Sequence, residues 1–117
     1  MKKIYHLATC STNKRILKEI APLDGFEMHE IKSNPITEEQ IDQMHKLSGS
    51  YEALFSKRAM KYKELGLKDK NLSETDIRKY ILSDYTFLKR PVAIIDNEIF
   101  IGNSKKNVEA LKKKIHE

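Results

Sequence analysis

Residues 2–31 change hydrophobic period twice, and this restricts the fold more than any other feature of the chain. Residues 2–8 carry Ile4, Tyr5 and Leu7 in a strand-like run. From about residue 13 to 21, Ile16, Leu17 and Ile20 recur at helical spacing, and Ala21-Pro22 followed by Asp24-Gly25 marks a stop and a turn. Phe26 to Ile31 reads as a second strand, with Phe26, Met28 and Ile31 toward the core and Glu27 and Glu30 at polar positions. A strand, a helix with one apolar face and another strand form a βαβ unit, so the two strands are expected to be parallel with a right-handed crossover.

The middle of the chain is helical in pattern. Ser33-Asn34-Pro35 breaks the strand, and Thr37-Glu38-Glu39-Gln40 is a capping box that opens a helix carrying Ile41, Met44 and Leu47, stopped by Ser48-Gly49. Tyr51, Leu54 and Phe55 begin a short helical piece, which restarts near Arg58 and closes at Gly66. Ser73-Glu74-Thr75-Asp76 starts a further helix with Ile77, Tyr80, Ile81 and Tyr85 as its stripe. The period then returns to that of strands at Val92 to Ile95, Asp96-Asn97 fits a two-residue hairpin turn, and Glu98 to Ile101 is the return strand. A last helix from about Ser104 to Ile115 packs through Val108, Leu111 and Ile115. The class is α/β. At 117 residues one domain, 1–117, is expected, with a helical insertion over about 37–85.

The first βα turn contains the only cysteine, Cys10, placed just before a helix start. Thr9, Ser11 and Thr12 suit a capping turn there. Unpaired N–H groups and the positive end of the helix dipole favour a thiolate over a thiol, and the same donors suit a tetrahedral oxyanion. Lys14 and Arg15 add positive charge, and the net charge of +5, from 22 basic and 17 acidic residues, favours anionic ligands. A lone cysteine is otherwise an inert small hydrophobe, and two charged residues are otherwise a solvated helix face. With a single cysteine no internal disulfide can form, which together with the lack of a signal-type block or membrane span points to the cytoplasm. His6, His29, His45 and His116 have no ligand spacing with one another or with Cys10, so no metal site is expected and no cofactor motif occurs. The lysines are spread over several helices without aromatic interleaving, which argues against direct nucleic-acid binding.

The stretch Tyr5-His6-x-x-x-Cys10-x-Thr12-x-Lys14 resembles the active-site loop of glutaredoxin-coupled arsenate reductases, and Leu88-Lys89-Arg90-Pro91-Val92 resembles that family's arginine–proline segment. Tyr62-Lys63-Glu64-Leu65-Gly66-Leu67 also looks like the family, and the length fits its compact branch, which includes the Spx-type redox regulators. The resemblance implies a thioredoxin-like fold, and the order β-α-β, helical block, β-β-α agrees with it: a mixed four-stranded sheet with inserted helices. It further implies that Pro91 is cis and brings Arg90 beside Cys10, where a guanidinium could clamp an oxyanion through two hydrogen bonds.

Carried over residue by residue, the resemblance makes Cys10 the nucleophile, Thr12, Lys14, Arg58 and Arg90 the anion-binding residues, and His6, Ser11, Asn13 and Pro91 their support. Arg58 matches the Spx-like branch, whereas the reductases' first anion-binding arginine aligns with Ser56. The third arginine of the reductases falls in Ile99-Phe100-Ile101-Gly102-Asn103 and has no counterpart beyond Lys105 or Lys106. Asn13 stands where Spx-type regulators often carry a second cysteine, so any turnover requires an outside thiol such as glutathione with glutaredoxin.

Two function classes follow from the resemblance. One is a thiol-dependent oxidoreductase acting on an arsenate-like oxyanion, with glutaredoxin or another thiol donor as partner. The other is a binding protein like the Spx regulators, which contact RNA polymerase. A carrier of mixed disulfides would use the same Cys10 and Pro91.

Overall fold

The computed structural model describes residues 1–117, which form two compact units: residues 1–34 with 90–117, and Pro35–Lys89. In the first unit, β1 (Lys2–His6) leads into α1 (Ser11–Ile20) and β2 (Glu27–Glu30). In the second, α2 (Glu38–Ser48), α3 (Met60–Glu64) and α4 (Glu74–Ser83) are joined by short 3-10 turns. The chain then returns to the first unit with β3 (Val92–Ile95), β4 (Glu98–Ile101) and α5 (Lys105–Ile115).

The four strands form one mixed sheet in the order β2-β1-β3-β4. β1 pairs with β2 in parallel, in the register Ile4 to Met28 and His6 to Glu30. It pairs with β3 antiparallel, Ile4 to Ala93 and Tyr5 to Val92. The β3–β4 hairpin turns at Asp96, whose φ of 54° is of the kind a tight two-residue turn requires. Central β3 is buried at all four positions, in keeping with its unbroken Val-Ala-Ile-Ile run. Ile4, Ile16, Ile20, Ala93, Ile95, Val108 and Leu111 make one core between the sheet and helices α1 and α5.

Four expectations are corrected here. Met28 is 42% exposed instead of core-facing, because its side of β2, an outer strand of the sheet, is left largely uncovered. α1 begins at Ser11 rather than near residue 13, and β1 ends at His6 rather than residue 8. Tyr85 lies beyond α4 in a 3-10 turn, because Asp84 ends that helix in an extended conformation and caps the turn through Thr86 N–H.

The second unit is organised by local chemistry legible in its sequence. Thr37 with Gln40, and Ser73 with Asp76, form reciprocal capping boxes at the starts of α2 and α4. Gly49 ends α2 at a φ of 87°. Arg78 of α4 reaches Asp42 of α2 at 2.9 Å, and the Tyr51 hydroxyl donates to the same carboxylate at 2.6 Å. The Phe55 and Phe87 rings stack at 5.5 Å, with Tyr80 and Tyr62 against them, which accounts for these aromatics as packing residues.

Candidate active site

The ladder of β1 stops at His6 because the next two amides turn to side chains. Leu7 N–H donates to Asn13 Oδ1 at 2.9 Å, and Ala8 N–H donates to Glu30 Oε2 at 3.0 Å. Cys10 N–H then donates to the Leu7 carbonyl at 3.1 Å, closing a tight turn, and Lys14 N–H donates to the Cys10 carbonyl at 3.1 Å. Cys10 is therefore itself the N-cap of α1, in extended conformation. The capping expected of Thr9, Ser11 or Thr12 does not occur, since no side-chain cap bond forms at this helix start.

The amides of Leu7, Ala8 and Cys10 are engaged within the protein, so the donors left to an oxyanion are the first-turn amides of α1, at Ser11, Thr12 and Asn13. Cys10 is half-buried as a free thiol, and its Sγ lies 3.6 Å from Asn13 Nδ2. Ser11 is exposed, Thr12 is half-buried, and the Lys14 and Arg15 side chains are exposed on α1.

Arg90 and Pro91 reach this region through the register. Tyr5 pairs with Val92, so His6 and Pro91 come next to each other at the end of the ladder from which the Leu7–Cys10 turn departs. The Arg90–Pro91 peptide is cis, as the resemblance implies. Arg90 is half-buried, with its Nε buried. The Pro91 carbonyl accepts from Gly102 N–H at 2.8 Å, and the Gly102 carbonyl accepts from Asn107 Nδ2 at 2.8 Å. The region aligned with the reductases' third arginine is thus occupied by a buried glycine, at a φ of 91°, with both backbone groups held. Lys105 and Lys106 are exposed in the first turn of α5. Arg58 belongs to the second unit, exposed on the turn before α3.

His6 is the last residue of β1, beside Glu30 of β2. Burial pushes its imidazole below the ordinary histidine value, against the opposing pull of Glu30, and its Nδ1 is buried without a hydrogen-bond partner. It is held toward the neutral form.

Glu30 has a role that reasoning from sequence missed. Besides Ala8 N–H, its carboxylate accepts from Lys32 N–H at 3.0 Å and from Ser33 N–H and Oγ at 2.7 Å each. These donors, Ser33 N–H first, hold its carboxyl at about 2. The clamp ties the end of β2 to the cysteine turn 22 residues earlier. The local half of this arrangement had a signal: an acid closing a strand, followed by a serine three residues on in a turn.

No three His, Cys, Asp or Glu side chains are grouped as a metal would need, and no helix is long and apolar enough to cross a membrane.

The sequence matches the ArsC family over residues 5–111. The chain belongs to the ArsC family. The match includes the Cys10 turn and the Arg90-Pro91 corner and extends to Leu111 of α5. One relative is the uncharacterized protein YusI of Bacillus subtilis strain 168, 30% identical over 99 residues, covering 80% of each chain. Among solved structures, that of a possible arsenate reductase from Streptococcus mutans UA159 is 28% identical, with a TM-score of 0.71 over 95% of this chain and 97% of that one. An arsenate reductase from Vibrio cholerae has a TM-score of 0.73 at 20% identity, covering 96% of this chain and 95% of its own. The mixed sheet with its helices is the thioredoxin-like fold of the ArsC family.

Proposed function

We propose that this chain is a thiol-dependent oxidoreductase that reduces an arsenate-like oxyanion, with Cys10 as the nucleophile. The observation that carries this is Cys10 as the N-cap of α1, its sulfur beside a buried amide donor, at the sheet end where the Arg90–Pro91 corner lies, in an ArsC-family chain. A sulfur placed there faces first-turn amides and the positive helix end.

In the proposed reaction the Cys10 thiolate bonds to arsenic, and an oxygen leaves as water with two protons. Thr12, Lys14 and Arg90 are assigned to binding the oxyanion, with Ser11 and His6 in support. An external thiol such as glutathione then attacks Cys10 Sγ. The sulfur–arsenic electron pair stays on arsenic, which leaves reduced from the pentavalent to the trivalent state. A second thiol, on glutaredoxin or another donor, attacks the resulting mixed disulfide and restores Cys10. Two thiols are oxidised to one disulfide for each arsenic reduced. No bound cofactor is required, and the reducing cytoplasm would supply the thiols.

Arsenate reduction assayed with glutathione and glutaredoxin tests this. Wild type should turn over and Cys10→Ser should not; full activity in Cys10→Ser, or none in wild type, overturns the proposal.

One observation favours a second reading. Gly102, buried with both backbone groups engaged, lies in the region of the reductases' third arginine. A binding protein similar to the Spx regulators needs no such clamp, and its partner would be RNA polymerase. Failure to retain polymerase subunits at low salt counts against it.

A further inference from the structure

Asn13 is the one buried polar residue of the chain, 1% exposed. As the third residue of α1 its side chain reaches back over the helix start, the direction that N3 side chains take in capping boxes. It meets two groups there: Leu7 N–H at 2.9 Å and Cys10 Sγ at 3.6 Å.

The two contacts together fix which end of the amide faces the sulfur. A backbone N–H can only donate, so the amide oxygen must lie toward Leu7, and the NH2 group is left facing Cys10. Turning the amide over would set two donors against each other at Leu7 and an oxygen lone pair against the sulfur. A thiol is a weak acceptor, whereas a thiolate is a charged one, so a donor locked in this position favours the anion.

We infer that Asn13 is a catalytic residue in its own right: its amide, held by Leu7 N–H, presents a fixed N–H donor to Cys10 and stabilises the sulfur as a thiolate. This rests on the assignment of Cys10 as the nucleophile. It gives position 13 a chemical task beyond occupying the place of a second thiol, and it makes the Leu7 amide part of the site although it touches no substrate.

The alternative is that Asn13 only anchors the turn. Asn13→Asp, read against Thr9→Asp, separates the two: both add a carboxylate near Cys10, but only the first keeps the contact to Leu7 N–H while replacing the donor at the sulfur by an oxygen. The Asn13 variant should therefore shift further than this charge control, and equal shifts overturn the inference. Alkylation of Cys10 by iodoacetamide is measured against pH in the folded wild type and both variants, with circular dichroism to check folding. The expected result is a rate at pH 7 lower by about tenfold in Asn13→Asp, with the midpoint moved about one unit upward. An unchanged rate and midpoint in Asn13→Asp, with arsenate reduction intact in wild type, overturns the inference and leaves the proposed function standing. Wild-type alkylation like that of a cysteine in a short peptide overturns both.

A measurement on wild type alone serves if the variant does not fold. The Asn13 side-chain amide resonances should move with the Cys10 ionisation in an NMR titration and stay fixed in Cys10→Ser. Resonances that do not follow Cys10 overturn the inference.

Discussion

Removing the Glu30 carboxylate should loosen the chain and the cysteine turn together. In Glu30→Ala three backbone N–H groups and the Ser33 hydroxyl lose their acceptor at once. A hydrogen bond to a charged acceptor contributes about 1.5–3 kcal/mol when shielded from water, and solvent access at Glu30 reduces this, so about 2 kcal/mol for the whole clamp is a reasonable sum. For a chain of this length that lowers the melting temperature by about 6–10 °C.

The effect has a definite pH dependence. The folded carboxyl titrates near 2, below its ordinary 4.5, so between these values the native chain binds fewer protons than the unfolded one. The contribution of Glu30 is therefore complete above about pH 4.5 and is lost as pH falls toward 2. Urea unfolding of wild type and Glu30→Gln, followed by circular dichroism at pH 7, 4 and 3, should show a stability gap that is widest at pH 7 and narrows on acidification. A gap of the same size at pH 3 and pH 7, or none at pH 7, refutes the account of the clamp.

Arg90→Lys should raise the KM for arsenate by about tenfold in a coupled glutaredoxin assay while leaving folding unchanged, because an ammonium cannot reproduce the flat two-point grip of a guanidinium. An unchanged KM removes Arg90 from the site. Asn103→Arg, at an exposed position next to Gly102, should lower that KM by supplying the missing cation; the substitution belongs there and not at residue 102, whose φ of 91° would strain any side chain. A higher KM in this variant counts against anion binding near that turn.

The parts of this structure that were legible in the sequence are those decided within a few residues. Thr37 with Gln40 and Ser73 with Asp76 announced their helices because a capping box is a four-residue device. The parallel β1–β2 pair followed from the helical crossover between the strands, and the Asp96-Asn97 hairpin from its turn residues. Met28 misled because alternation along a strand says which residues share a face, not whether anything covers that face. Around the cysteine, the place of Cys10 just before the helix was legible, but the capping was given to the wrong residues. Thr9, Ser11 and Thr12 have suitable hydroxyls, yet the turn is held from outside by Asn13 and Glu30. The reach of Glu30 to Ala8 depends on strands pairing across 22 residues, which no local pattern encodes.

Because the amides of Leu7, Ala8 and Cys10 are already taken up by the protein's own frame, an anion at this helix start would meet only the three first-turn amides of α1 and side chains that single codon changes can replace. On the proposed function, preference among arsenate, phosphate and sulfate would drift in such a chain while its backbone stays where it is. A relative with the same turn and a different set of cations around it would be tuned to another guest.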